Sequence, residues 1–154
     1  MRDDEVIVTL NDLISTCRDG EYGFGACAEY VRSGDVRAVL ARRASECAHG
    51  ALELEQLAVR FGAAAPASSE SIVAGTETTH RGWVSTRGTL GRLTDLAMLQ
   101  ECEHGEENAM QRYRHALRKE LPVDVRLRVE RQLRGARSNH DHIRSLRDRL
   151  FVVS

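Results

Sequence analysis

Ser33-Gly34-Asp35 separates two long stretches in which apolar residues return every three or four positions. Upstream, Leu10, Leu13, Cys17, Phe24, Ala28 and Val31 fall on one stripe; downstream, Val36, Leu40, Cys47, Ala51, Leu54, Ala58 and Phe61 form another. That spacing matches the 3.6-residue helical repeat, so each stretch reads as an amphipathic helix with one face to bury. The glycine is read as ending the first helix and the aspartate as capping the second, and so short a connection turns the second helix back along the first. Working outward, the same pattern resumes near residue 90, and Pro122 ends a third helix while admitting a fourth. The expected helices span 4–31, 35–62, 90–118 and 123–151. The fold class is therefore all-α, an up-down four-helix bundle built as a single domain over residues 1–154.

Composition points the same way. A chain of 154 residues is long enough for one domain with a real core. Hydrophobic residues at 42% and charged residues at 29% exclude a disordered tail or a fibrous repeat. Aromatics at 5% are too few for an ordinary sandwich or barrel, whereas Ala, Leu, Arg and Glu enter helices at low cost. A formal net charge of −1 provides no overall positive field, which argues against nucleic acid or an anionic membrane as partner. The arginines between Arg126 and Arg149 make a local basic stripe, expected to meet the acidic third helix at Glu101, Glu103, Glu106 and Glu107. Cys17, Cys47, Cys27 and Cys102 show no C-x-x-C or zinc spacing and read as small core residues. With no signal-type start and no apolar run near the ~20 residues that span a bilayer, a reducing cytoplasm is the expected location.

Between the second and third helices, residues 63–89 form a connection long for a compact domain. It carries His80-Arg81-Gly82-Trp83, and the lone tryptophan is expected to plug the open end of the core. A weak internal repeat places Cys17-Arg18-Asp19-Gly20-Glu21 over Cys102-Glu103-His104-Gly105-Glu106. In both copies glycine precedes glutamate, and Gly20 and Gly105 are expected to allow close helix approach.

Leu10-Asn11-Asp12-Leu13-Ile14 with Gly20-Glu21, His80-Arg81-Gly82-Trp83, Glu101-Cys102-Glu103-His104-Gly105-Glu106, and His140-Asp141 followed by Leu146-Arg147-Asp148 carry a resemblance over nearly the whole chain. Together they resemble an uncharacterised bacterial ferritin-like four-helix-bundle family, a domain of unknown function. The resemblance implies a di-metal site of iron or manganese, in which two helices each give a Glu and the other two each give Glu-x-x-His. Glu21 and Glu106 match the first pair, Glu46-Cys47-Ala48-His49 has the second spacing, and His140 stands in the fourth helix. Arg137 occupies the place of the last glutamate. The candidate metal ligands are thus Glu21, Glu46, Glu106 and His140.

A helical wheel turns Glu21, Glu106 and His140 inward, leaves Glu46 at the flank and points His49 to solvent, so that Glu-x-x-His spacing reads as accidental. Glu101-x-x-His104 turns outward in the same way. Arg43 points inward and offers a metal-free alternative, in which it neutralises the buried carboxylates with His140 and Arg137. That network is the preferred reading. Two functions follow. The preferred one is a non-enzymatic bundle, related to stress tolerance, acting through self-association as a homodimer or homo-oligomer or through an unknown protein partner. The other is an iron or manganese metalloprotein with oxidase or peroxide chemistry. Hydrolysis and nucleotide chemistry are unsupported, since no Gly-x-Ser-x-Gly stands at a strand-to-helix turn and Gly20 and Gly105 lie inside helices.

Overall fold

The computed structural model describes residues 1–64, Trp83 and residues 87–153. The described residues form four long helices, α1 (Asp3–Tyr30), α2 (Gly34–Arg60), α4 (Asp95–Leu117) and α5 (Val123–Val153), and a single-turn helix, α3 (Arg87–Leu90), just ahead of α4. Among the described residues there is no strand, so the all-helical expectation holds. Helix α1 packs on α2 and α4, and α5 packs on α4 and α2. Around this helical bundle, α2 and α4 therefore face each other across the core.

The helix ends differ in detail from the sequence reading. Ser33, not Asp35, caps α2: its hydroxyl accepts from Val36 N at 3.3 Å, and Gly34 is already helical. Asp35 falls in the first turn, where a carboxylate complements the helix dipole. The α1–α2 turn is tied to the start of α4, because the Asp95 carboxylate accepts from Arg32 N and Ser33 N, both at 2.9 Å. Helix α4 begins at Asp95 rather than at residue 90. Thr94 supplies the cap, accepting from Ala97 N at 3.1 Å, and Gly91, Arg92 and Leu93 separate it from Leu90, which belongs to α3. Pro122 stands just before α5, where its missing N–H costs nothing and its carbonyl accepts from Arg126 N at 2.9 Å.

The buried side chains form two clusters. One gathers Leu10, Leu13, Leu54, Tyr113 and Val129; the other gathers Phe24, Leu40, Trp83, Leu99 and Ile143. Along α4 they meet at Glu106, between Cys102 and Met110, and along α5 between Ala136 and Ile143. A polar layer occupies that join.

Trp83 is buried, but between α1 and α4 beside the polar layer rather than at an open end of the core, and its ring stands edge-on to Phe24 with centroids 4.8 Å apart. Room for it comes from two glycines: a Cβ on Gly23 would lie 2.1 Å from the ring, and one on Gly105 2.4 Å. Gly105 thus makes space for tryptophan rather than for a neighbouring helix. Gly20 does serve close packing, since a Cβ there would lie 2.8 Å from Cys47 Sγ of α2. His80, Arg81 and Gly82 lie outside the described residues, as does most of the expected long connection. No helix among the described residues is long and apolar enough to cross a membrane.

Candidate functional site

Helices α2 and α4 bring Arg43 and Glu106 together across the core. Arg43 Nε donates to Glu106 Oε2 at 2.9 Å and Nη2 donates to Oε1 at 2.8 Å, a two-pronged guanidinium–carboxylate pair. From α5, Asn139 Nδ2 adds a third hydrogen bond to Oε2 at 2.7 Å. Glu106 is 1% exposed and Arg43 7% exposed, so both charges depend on each other rather than on water. Burial works against the Arg43 charge, but the Glu106 carboxylate more than offsets it and holds the guanidinium above its ordinary pKa. The guanidinium carbon also lies 5.9 Å from the centroid of the Phe24 ring, within range of a cation–π contact.

Beside this pair, a cleft of about 470 Å³ runs from Arg42, His49 and Arg131 down to Cys17 and Tyr113. At its floor Cys17 Sγ lies 3.3 Å from Tyr113 Oη, which donates to Gln132 Oε1 at 3.0 Å. All four cysteines are buried and free, as their spacing suggested. Burial pushes the thiols of Cys17, Cys47 and Cys102 and the phenol of Tyr113 upward. They stay protonated near neutrality and so are not nucleophiles.

Those raised values have a consequence for stability. Once the pH passes the thiol range of the unfolded chain, the unfolded state loses protons that the folded state keeps. Stability is then full below about pH 8.5 and falls by up to about 1.4 kcal/mol per pH unit for each such thiol above it. Urea unfolding at pH 8 and pH 10 is expected to show the lower midpoint at pH 10, with a shallower loss in Cys102→Ala. Equal midpoints in the wild type would contradict the burial of these groups.

A second cluster lies on the α4–α5 seam. His140 Nε2 is 3.1 Å from Glu107 Oε1 and 3.9 Å from Glu103 Oε1. Glu103 is also held from α5, with Arg147 Nη1 at 2.7 Å from Oε2 and Arg144 Nε at 3.5 Å from Oε1. The expected meeting of the basic stripe with α4 is therefore present at Arg144 and Arg147. Arg128 and Arg131 instead turn to Glu53 of α2.

The structure does not bring Glu21, Glu46, Glu106 and His140 to one point. Glu21 is partly exposed and pairs with Arg18 at 3.0 Å. Glu46 is exposed, and its carboxylate lies 3.8 Å from Arg43 Nη1. Glu106 is taken by Arg43 and Asn139, whereas His140 turns to Glu107. Arg137 is exposed. The four do not fit a shared metal, because the one fully buried carboxylate among them already has both oxygens bound by cationic and amide donors. The sequence reading missed Asn139 as a partner of Glu106, and Glu103 and Glu107 as neighbours of His140; for the two glutamates the signal was their i, i+4 spacing on α4.

The family described as a domain of unknown function, DUF2383, matches residues 5–119, which take in α1, α2 and α4 with Arg43 and Glu106. Helix α5, with Asn139 and His140, lies beyond that span. No curated protein matches the chain.

Proposed function

We propose, for a chain that belongs to the DUF2383 family of unknown function, a non-enzymatic role: a ferritin-like, up-down helical bundle that acts through association with a second copy. The observation that carries this reading is the commitment of Glu106. Its two oxygens are filled by Arg43 and Asn139, and a metal in their place would strand the Arg43 charge in the core. Short connections between α1 and α2 and between α4 and α5 support the up-down course. Association is supported by Leu52, Val59, Val123 and Leu127, whose exposures of 49%, 43%, 75% and 60% leave apolar area to cover. A net charge of −1 lets two copies approach without strong repulsion.

Two measurements test it. Light scattering over a concentration series is expected to give twice the 17.2 kDa chain mass; a monomer at every concentration would overturn the association. Anaerobic iron(II) followed by oxygen is expected to give no oxidation above the buffer rate. Rapid oxidation that disappears in Glu21→Ala and Glu46→Ala would establish the ferritin-like metalloprotein instead.

A further inference from the structure

We infer that Glu103, Glu107 and His140 form a binding site for a divalent first-row metal ion on the α4–α5 seam, separate from the Arg43–Glu106 pair. The inference goes beyond the proposed function and does not depend on it. One ligand atom from each of the three residues lies within 4.8 Å of the other two. Oxygen and nitrogen ligands sit about 2.0 to 2.2 Å from zinc, which sets neighbouring ligand atoms about 3 to 3.5 Å apart around the ion. His140 Nε2 is already 3.1 Å from Glu107 Oε1, and its 3.9 Å from Glu103 Oε1 closes with a small carboxylate rotation.

Placement follows from helix geometry. Glu103 and Glu107 are i, i+4 neighbours on α4 and present both carboxylates on one side. His140 enters from α5, buried at 5% exposure, so its ring is fixed by packing. Arg147 grips Glu103 Oε2 at 2.7 Å, an outer partner that orients a ligand, while Oε1 is shared between Arg144 Nε at 3.5 Å and His140 Nε2 at 3.9 Å. The three residues already meet without an ion, so binding asks for a carboxylate rotation and the displacement of Arg144 rather than for assembly of the site.

Access and chemistry agree. The Glu107 side chain is 47% exposed and gives an ion a way in. Arg144, at 3.5 Å from Glu103 Oε1, is 53% exposed and has solvent to move into when a cation replaces it. Two carboxylates and one imidazole suit zinc(II), manganese(II) or iron(II) better than thiolate-preferring copper(I). Three protein ligands leave at least one position for water.

Zinc(II) titrated into the chelator-treated full chain, followed calorimetrically, tests the site. One equivalent is expected to bind and raise the urea midpoint. Glu107→Gln changes an exposed side chain and keeps the fold, and it is expected to weaken that event about a hundredfold or more and remove the midpoint shift. Glu21→Gln and Glu46→Gln are expected to bind as the wild type does. Absence of a stoichiometric event, or one unchanged by Glu107→Gln, would overturn the inference. Binding lost in Glu21→Gln or Glu46→Gln but kept in Glu107→Gln would overturn it as well, and with it the non-enzymatic reading of the core.

Discussion

Arg43→Met is expected to lower the unfolding free energy by about 3 to 5 kcal/mol, the range for removing one partner of a buried ion pair. The methionine replaces the guanidinium with a side chain that fills irregular space well, so the loss is mainly electrostatic. Glu106 would keep only the Asn139 amide, at 2.7 Å, for a carboxylate that is 1% exposed. Glu106→Gln removes the charge instead and leaves Arg43 with a neutral partner, for an expected loss of about 3 kcal/mol. Both are read from urea unfolding at neutral pH. Losses below about 1 kcal/mol, the range of an exposed pair, would mean that water reaches this layer.

Gly23→Ala is expected to expel Trp83 from the bundle. A methyl group there stands 2.1 Å from ring carbons that are already enclosed by Phe24 and α4, so neither the helix backbone nor the ring has room to yield. Alanine gains about 1 kcal/mol over glycine in a helix, but losing a buried aromatic side chain costs about 3 to 5 kcal/mol. The net effect is destabilising. With a single tryptophan in the chain, a red-shifted emission reports the ring's exposure directly. Gly105→Ala attacks the same ring from α4 at 2.4 Å. The double variant is therefore expected to lose little more than either single one, because the ring can be expelled only once. An unshifted emission in both would contradict this packing.

The fold was legible because apolar spacing is a property of the backbone period and survives any detail of packing. Leu10, Leu13, Leu40, Leu54, Leu99 and Ile143, all fully buried, lie on the stripes that periodicity picks out. Helix ends were less legible, since Ser33, Gly34 and Asp35 each suit a terminus and only the hydroxyl-to-Val36 bond decides among them. Arg43 was readable as an inward cation, and an inward Glu106 required a partner. Asn139 was not, because a neutral amide at the edge of a stripe shows no pattern until α4 is placed beside α5. The Gly23–Trp83–Gly105 packing stayed hidden for a similar reason. Trp83 is distant in sequence from both glycines, and a glycine inside a helix does not announce what fills its space. Glu103 and Glu107 looked like members of an acidic face, and only the approach of His140 turns two of them into a cluster with ligand geometry.

The most direct test of the ionic core is a double-mutant cycle on Arg43→Met and Glu106→Gln, read from urea unfolding at neutral pH. A shared layer predicts a coupling near the top of the range for contacting residues, about 2 to 3 kcal/mol, with the double variant far less damaged than the sum of the singles. Losses that add within about 0.5 kcal/mol would show that the two residues act independently, and the assignment of Glu106 to a structural pair would fail.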